Sequence, residues 1–306
     1  MKAAVCTLFE GAYHYGVAAL VNSLHAHGFR GTVWAGYRGA LPEWAGGSPE
    51  FEVGEGLAIR FVPLTTDAHF TNYKATFALE VFERLDPNAA GVFYFDPDIV
   101  ISGRWGFFEE WIEYGVALCE DSTSPMSESH PIRGAWRKFG ATRGLKLQPR
   151  GSSYVNGGFI GASRTCIPFL QTWSRVLDYM REEIGTAGNF NWVDKDRTYA
   201  FYRNDQDALN MAIEADATPL SIVGKEGMGF VGGGYIMYHS LGHPKPWGKR
   251  FVWEALKGWP PTSADKAFLT HSAGPIAAFS ASELAGLRRS ALVAGAICRL
   301  VRKGGW

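Results

Sequence analysis

The sequence lacks the charge excess and the long apolar segment that would point to nucleic acid or to a membrane span. Its 306 residues hold 30 Lys and Arg against 30 Asp and Glu, so the net charge is zero. A protein without a basic field has no general means of gathering nucleic acid, and we exclude that partner. No apolar run reaches the roughly 18 residues of a membrane-spanning helix. The apolar run before Glu10 is too short for a secretory signal, which favours a cytoplasmic location.

Several diagnostic motifs are also missing. The four cysteines are scattered without C-x-x-C spacing, which predicts free thiols in a reducing compartment. No G-x-G-x-x-G follows the first strand-like segment, so the dinucleotide fingerprint is absent. The chain also has no G-x-x-x-x-G-K-[ST], so it does not carry a P-loop of the NTPase type.

The order of the apolar segments predicts an α/β fold. Strand-like segments at 2–8, 32–35, 58–64, 91–95, 116–119, 154–161 and 218–223 alternate with helical patterns at 14–27, 71–85, 167–183 and 204–215. Such alternation is typical of a doubly wound, mostly parallel sheet flanked by helices. Ligands of these sheets bind beyond the carboxyl ends of the strands. We expect a single domain over 1–280 with long loops at 122–153 and 185–203, followed by a tail at 281–306.

The strongest chemical signal is Asp96-Pro97-Asp98, directly after the buried strand 91–95. Alternate side chains of an extended chain face the same way, so the two carboxylates are expected to project together. Pro97 biases Asp96 toward extended geometry and ends the strand ladder. Paired carboxylates suit a hard divalent cation, which offsets their repulsion. The alternative is a surface turn that happens to contain two acids.

A histidine and a lysine follow the apolar run 235–238. His239 can add an imidazole to the two carboxylates, and such a mixed nitrogen and oxygen site favours Mn²⁺ over Mg²⁺. Gly242 allows a ligand to approach the backbone closely, and Lys245 is a compact positive charge for a phosphate. A core histidine and a solvated lysine are the alternatives.

Three further segments carry polar residues of ambiguous purpose. Asn156 and Gly157 lie in an N-G-G run, where glycines within a strand indicate close approach or a bulge and the amide can bind a sugar hydroxyl. Lys74 lies in the first turn of its helix, where a positive charge opposes the helix dipole. We therefore expect its side chain either to face an anion or to extend to solvent. Asp205 and Gln206 open a helix, where acids also serve as ordinary capping residues.

These motifs are more specific together than singly. D-x-D, N-G-G, D-Q-D and H-x-x-G-x-x-K-P-W follow in this order over residues 96–247, after an N-terminal Val-Cys-Thr-Leu-Phe-Glu-Gly-Ala-Tyr segment. The pattern resembles glycosyltransferase family 8, the retaining enzymes of the glycogenin and galactosyltransferase type, over about residues 1–250. The resemblance implies a GT-A fold and metal-dependent, retaining transfer of a hexose from a UDP-sugar to a hydroxyl acceptor such as a glycan or lipid-linked sugar.

The same resemblance implies roles for individual residues. Mn²⁺, or Mg²⁺ in its place, would be held by Asp96, Asp98 and His239, and the catalytic candidates are Asp205 and Gln206. The residues implied to bind the donor are Thr7, Glu10, Tyr13, Lys74, Asp96, Asn156, Gly157, Gly242 and Lys245. Thr7, Glu10 and Tyr13 belong to the nucleoside pocket, and the lysines contact the sugar or diphosphate.

The chain departs from the family pattern at three of its positions. Glu10 stands where the family usually has Asp, Pro97 where it has a small residue, and Gly157 where it has Ser or Ala. The extra methylene of Glu10 affects the nucleoside contacts, whereas the other two changes keep the carboxylate spacing and the close-approach glycine.

Two other classes of protein stay open. A sugar-nucleotide nucleotidyltransferase can also use paired acids, although it normally has a Gly-rich basic loop after its first strand. A non-catalytic nucleotide-sugar-binding protein is the third candidate. Release of UDP would indicate transfer, and release of pyrophosphate would indicate synthesis.

Two segments are expected to contact larger partners. The acceptor is expected to meet the 122–153 and 185–203 loops, whose aromatic residues Trp136, Phe190, Trp192 and Tyr199 can stack on a sugar face. The tail from Ser282 alternates apolar residues with arginines, and its charges after Glu283 are all positive. Such a basic amphipathic helix can lie on the inner face of an anionic membrane, and a packing helix with a solvated basic edge is the alternative.

Overall fold

Strands and helices alternate along most of the chain, as the apolar pattern predicts. The computed structural model describes residues 2–184 and 197–303. Within these ranges the strands are β1 (Ala3–Glu10), β2 (Gly31–Arg38), β3 (Glu50–Gly54), β4 (Leu57–Pro63), β5 (Gly91–Phe95), β6 (Ile99–Ile101), β7 (Val116–Cys119), β8 (Phe159–Ser163), β9 (Leu220–Val223) and β10 (Met237–His239). The helices are α1 (His14–Ala26), α2 (Lys74–Glu80), α3 (Trp105–Trp111), α4 (Pro131–Thr142), α5 (Ile167–Ile184), α6 (Asn204–Ala215), α7 (Phe251–Leu256), α8 (Ser263–His271) and α9 (Ala281–Lys303).

One sheet organises the described part of the chain, with eight strands in the order β3-β4-β2-β1-β5-β8-β7-β9. The pairs β1–β2, β1–β5, β2–β4 and β7–β9 are parallel. The pairs β3–β4, β5–β8 and β7–β8 are antiparallel. The predicted fold class, a mixed and mostly parallel GT-A-like sheet flanked by helices in a single domain, is confirmed. The strand pattern did not predict that β8 runs antiparallel between β5 and β7.

Strand β5 lies between two hydrophobic cores. Its side chains alternate, so Val92 and Tyr94 join the cluster that contains residues of α2, α5 and α6. Phe93 and Phe95 join the opposite cluster, with residues of α1 and α3. Burial on both faces explains why this strand reads as an unbroken apolar run. The strand therefore fixes the position of Asp96 at its carboxyl end.

The predicted loop at 122–153 is wrong in part, because it contains the helix α4. His130 precedes this helix and its ring nitrogen accepts a hydrogen bond from the backbone N–H of Ile132. Pro131 occupies the first helical position, where its missing N–H costs nothing. A proline after a capping residue is the signal that predicts this helix from sequence.

The basic residues of this segment stabilise the fold. Glu214 of α6 is fully buried and accepts hydrogen bonds from Arg133 and Arg137 at 2.8–3.0 Å. Trp136 is also fully buried, and its indole nitrogen donates to the carbonyl oxygen of Ala200 at 2.5 Å. The prediction that Trp136 stacks on an acceptor sugar is therefore wrong.

Two predicted elements have different local structure. The strand expected at 154–161 begins only at Phe159, so the glycines of the N-G-G run precede the strand instead of interrupting it. The helix expected at 71–85 begins at Lys74 and continues as a π-helical turn from Val81 to Leu85. His69 supplies the side-chain cap of the preceding 3₁₀ turn.

The C-terminal helices pack on one another. Leu284 and Ala294 of α9 are buried in a third cluster together with Phe251 of α7 and Phe268 of α8. The domain boundary at residue 280 stays a prediction. Within the described residues, no helix combines the length and the apolarity that a bilayer-crossing segment needs.

Candidate functional site

A turn at the end of β5 brings Asp96 and Asp98 together. The backbone N–H of Ile99 donates to the carbonyl oxygen of Asp96 at 3.0 Å, which closes a turn through Pro97 and Asp98. The prediction that strand alternation aligns the two carboxylates is therefore wrong in its geometry. Gly16 of α1 allows the turn to approach, because a Cβ there would lie 2.1 Å from the carbonyl oxygen of Pro97.

The strand β6 after this turn brings His239 to the same place. It pairs antiparallel with β10, and the register sets His239 opposite Ile99. The His239 Nε2 atom lies 3.3 Å from an oxygen of Asp98 and 3.9 Å from an oxygen of Asp96. One ligand atom from each of the three residues lies within 4.8 Å of the others, and no second group of this kind occurs in the described residues.

The ring of His239 is oriented as a metal ligand requires. Its Nδ1 lies 3.1 Å from the side-chain oxygen of Asn156, whose amide nitrogen donates to Asp121 at 2.8 Å. Nδ1 therefore carries a hydrogen, and Nε2 faces the carboxylates. Gly158 makes room for the ring, since a Cβ at this position would lie 2.5 Å from His239 Cε1. This donor set fits a divalent cation.

Lys74 is buried between two acids instead of extending to solvent. Its Nζ lies 2.9 Å from Asp96 Oδ1, 2.9 Å from Asp205 Oδ2 and 2.9 Å from the carbonyl oxygen of Gly157. Burial alone would lower the pKa of Lys74, but Asp205 and Asp96 outweigh this effect and raise the pKa above its ordinary value. Tyr94 donates its hydroxyl hydrogen to Asp96 Oδ1 at 2.8 Å. Asp96 is thus held on two sides.

Lys245 is likewise not a solvated surface residue. Its Nζ contacts Asp98 Oδ2 and donates to the carbonyl oxygen of Ser240 at 2.8 Å. Burial would raise the pKa of Asp98, but His239 and Lys245 hold it well below its ordinary value, so this acid is ionised at neutral pH. Gly242 has a φ of +75°, a conformation that favours glycine.

The D-Q-D run separates into two roles at the start of α6. Asp205 and Gln206 face the N-G-G run: a Cβ on Gly157 would lie 3.0 Å from Asp205 Oδ2, and Gln206 Oε1 accepts from the N–H of Gly157 at 3.2 Å. Burial raises the pKa of Asp205. Asp207 turns away and accepts hydrogen bonds from the hydroxyl of Tyr154 and the backbone of the residue before the helix. The capping alternative therefore describes Asp207 only.

A cavity of about 240 Å³ opens beside these residues. Its walls include Glu10, Tyr13, Lys74, Asp96, Asp98, His239 and Lys245. Burial, with Asp98, Asp96 and Glu10 nearby, raises the pKa of Tyr13 to about 12, so the phenol stays protonated. Thr7 is fully buried in β1 and does not line this cavity.

A second cavity of about 610 Å³ has Asp207 of α6 in its wall. Tyr199, Thr123 and Arg203 are among its walls, so the two segments predicted to meet the acceptor both contribute. Phe190 and Trp192 lie outside the described residues.

A hydrogen-bonded chain connects this second cavity with the metal-binding group. Arg203 Nη1 lies 3.2 Å from Asp121 Oδ1, and Asp121 accepts from Asn156, which orients His239. Asp121 and Arg203 were not predicted from the sequence. Asp121 follows the carboxyl end of β7, the same position in the fold that identified Asp96, and this signal could have found it.

Two solved glycosyltransferases resemble the chain in structure. GlyE from Streptococcus pneumoniae TIGR4 aligns with a TM-score of 0.56 and 14% identity, over 95% of this chain and 64% of that one. The bifunctional glycosyltransferase WbbM in its apo form aligns with a TM-score of 0.50 and 14% identity, over 95% of this chain and 52% of that one. The chain thus spans less than two thirds of either neighbour, and at this identity the likeness shows the fold alone. No protein-family model and no curated protein matches the sequence.

Proposed function

We propose that the chain is a metal-dependent, retaining glycosyltransferase of the family 8 type that moves a hexose from a UDP-sugar to a hydroxyl acceptor. The observation that carries the proposal is the convergence of Asp96, Asp98 and His239 within 4.8 Å at the wall of a cavity. The buried Lys74 and the partly buried Lys245 adjoin the same group and would supply positive charge for a diphosphate. The fold of the two structural neighbours supports this assignment.

Asp96, Asp98 and His239 would hold the cation, and their mixed donor set favours Mn²⁺ with Mg²⁺ as a substitute. When bound, such a cation supplies positive charge for the diphosphate that leaves the sugar. Lys245 adds a second positive charge at the same place, provided that its ammonium group exchanges Asp98 for a phosphate oxygen. Asn156 keeps Nε2 of His239 available through its hydrogen bond to Nδ1.

Asp205 and Gln206 would face the donor sugar across the N-G-G run. Retention of configuration requires either a carboxylate nucleophile or attack by the acceptor on the face that the diphosphate leaves. Asp205 Oδ2 lies 2.9 Å from the ammonium of Lys74, and this ion pair lowers its nucleophilicity. We therefore favour front-face attack, with a departing phosphate oxygen accepting the proton of the acceptor hydroxyl and Asp205 orienting the sugar.

The two cavities divide the substrates between them. The cavity of about 240 Å³ lies below the roughly 300 Å³ at which small-molecule sites begin, so a nucleotide-sugar donor would extend beyond it. The second cavity, at about 610 Å³, has room for an acceptor sugar. Asp207 of α6 lines the second cavity, and Asp205 on the same helix contacts Lys74 in the wall of the first, so Asp205 and Gln206 would lie near both substrates.

A screen of UDP-hexoses for slow hydrolysis tests the assignment. We expect UDP release that needs Mn²⁺, stops in chelator and is lost in Asp96→Asn. Glu113→Gln, which neutralises an exposed acid, is the matched control and should retain full activity. Release of pyrophosphate from a sugar phosphate and UTP would instead identify a nucleotidyltransferase. UDP binding without hydrolysis of any UDP-hexose would identify a binding protein.

A further inference from the structure

The neighbouring strands β1 and β2 end in an ion pair between Glu10 and Arg38. The two residues are partners in the register of this parallel pair. Arg38 Nε and Arg38 Nη2 each lie 3.1 Å from the same carboxylate oxygen, Glu10 Oε2. Glu10 lines the cavity beside the metal-binding group, whereas Arg38 is not among the residues of its wall. Any effect of Arg38 on a ligand of this cavity would therefore act through Glu10.

Arg38 is held in place by more than its contact with Glu10. Its Nη1 atom donates to the carbonyl oxygens of Thr66 and Ala68 at 3.1 and 3.3 Å. Its guanidinium carbon lies 4.3 Å from the ring centroid of Phe70, which is buried and lines the same cavity. An exposed ion pair usually contributes little, because both side chains must be ordered to form it. Here three other contacts already fix the planar guanidinium, so it is a rigid partner for the carboxylate.

The ion pair leaves one oxygen of the Glu10 carboxylate unused. Both nitrogens of Arg38 contact Oε2, and Oε1 accepts no hydrogen bond from any residue in the described ranges. The Glu10 side chain is 47% exposed, so a ligand can reach Oε1. An ionised carboxylate can only accept hydrogen bonds, and it repels a phosphate. The ligand group that suits Glu10 is therefore a neutral O–H or N–H donor.

Arg38 also compensates the charge of Glu10. Asp96 and Asp98 already place two carboxylates in the wall of the cavity, and Glu10 adds a third. An uncompensated third negative charge would repel a nucleotide diphosphate. Arg38 offsets this charge and leaves an accepting oxygen available. The pair can thus bind an uncharged part of a nucleotide without weakening the binding of its diphosphate.

We propose that Arg38 is a positioning residue that fixes Glu10 for recognition of the nucleoside part of the donor. Glu10 Oε1 accepts a hydrogen bond from the nucleoside, either from the imide N–H of a uracil base or from a hydroxyl of its ribose. Arg38 sets the orientation and compensates the charge of this acceptor, so it determines how strongly the site prefers a nucleoside that carries the donor group. The inference rests on the proposed function, since it requires a uridine nucleotide in the cavity.

Calorimetric titration of the full chain with nucleoside diphosphates in the presence of Mn²⁺ tests the proposal. The probes are UDP and three analogues: CDP, whose base has no imide N–H, and 2′-deoxy-UDP and 3′-deoxy-UDP, which each lack one ribose hydroxyl. We expect at least one analogue to bind at least about tenfold more weakly than UDP, as the loss of a hydrogen bond to a charged acceptor predicts. That analogue identifies the donor group. Arg38→Met should lower this affinity ratio toward one, and Arg38→Lys, which keeps the charge and loses the fork, should give an intermediate ratio.

A double variant and a matched arginine separate positioning from a general loss of structure. Glu10→Gln should lower the same ratio, and adding Arg38→Met to it should lower the ratio no further. Arg60→Met is the matched control, because Arg60 of β4 also pairs with a glutamate, Glu50, and lies over an aromatic ring, that of Trp34. This control should keep the ratio of the wild type. Because the ratio compares two ligands on one variant, a lower stability of that variant leaves it unchanged.

The failure of this inference can be distinguished from the failure of the proposed function. A wild type that binds no UDP in the presence of Mn²⁺ overturns the proposed function and the inference with it. If UDP binds and no analogue binds more weakly, only the inference is overturned. The same holds if the ratio is unchanged in Arg38→Met, or in Arg38→Lys and Glu10→Gln should Arg38→Met fail to fold. An equal fall of the ratio in Arg60→Met would also overturn it.

Discussion

Replacing Lys74 with Met should destabilise the protein more than any change at an exposed lysine. The Lys74 side chain is only 3% exposed and lies between Asp96 and Asp205, at 2.9 Å from each. Its removal leaves two partly buried carboxylates beside each other without a cation. Breaking a buried ion pair in this way typically costs about 3–5 kcal/mol. We expect a loss of that size in the free energy of unfolding at neutral pH, measured by urea denaturation.

The pH dependence of this loss has a definite sign. Burial raises the pKa of Asp205 in the folded protein, and removal of Lys74 raises it further. The folded variant therefore binds a proton more tightly than the unfolded chain does, and lowering the pH stabilises it. The difference in stability between Lys74→Met and the wild type should narrow as the pH falls toward about 4, the ordinary pKa of aspartate.

A double variant identifies the cause of the loss. In an Asp205→Asn background, Lys74→Met should lower the free energy of unfolding clearly less than it does in the wild type, because one of the two uncompensated charges is gone. Lys138→Met, at an exposed lysine, should stay within about 0.5 kcal/mol of the wild type. A loss below about 1 kcal/mol for Lys74→Met, or the same loss in both backgrounds, would refute the reasoning.

Three further predictions concern the metal-binding group and the core. Asn156→Leu removes the acceptor that orients His239 and should weaken Mn²⁺ binding about 10–100-fold in a calorimetric titration; unchanged affinity would contradict this role. Gly158→Ala would place a Cβ 2.5 Å from His239 and should also weaken Mn²⁺ binding, whereas Gly134→Ala, which meets no atom within 4 Å, should not; equal effects would contradict the packing argument. Trp136→Ala should cost about 3–5 kcal/mol of stability in urea denaturation, and a cost near zero would show that this residue is not in the core.

The central part of the fold follows from local sequence. The run 91–95 is apolar on both faces and rich in β-formers, so its burial and its end at Asp96 could be predicted. The geometry after it could not be predicted, because a proline between two acids is compatible with both an extended segment and a turn. The hydrogen bond that the backbone N–H of Ile99 donates to Asp96 distinguishes the turn, and β6, which follows the turn, pairs with a strand far along the chain.

The partners of the site residues depend on topology. Asn156 and Asp121 are 35 positions apart and become neighbours because β8 returns antiparallel beside β7. Tyr94 reads as one more core aromatic, and only the structure shows its hydroxyl on Asp96. The sequence leaves the role of Lys74 ambiguous, because its partner Asp205 comes from a different helix. Such contacts have no local signature that a single sequence could reveal.

The helix α4 shows a different reason why a prediction from the sequence fails. Its glycines and basic residues resemble a polar loop, and the acid that compensates them, Glu214, lies in α6. Because the local sequence does not show that partner, it predicts that Arg133, Arg137 and Trp136 are exposed. The helix start at Pro131 was visible, but the burial of its residues required knowledge of the neighbouring helix.

The most direct test of the central claim is a titration of the purified protein with Mn²⁺, followed by electron paramagnetic resonance in the presence of UDP. We expect one tightly bound ion per chain, and loss of that ion in Asp98→Asn and in His239→Ala. Glu113→Gln, at an exposed acid, should bind Mn²⁺ like the wild type. An unchanged stoichiometry and affinity in His239→Ala would contradict the claim that these three residues form the metal site.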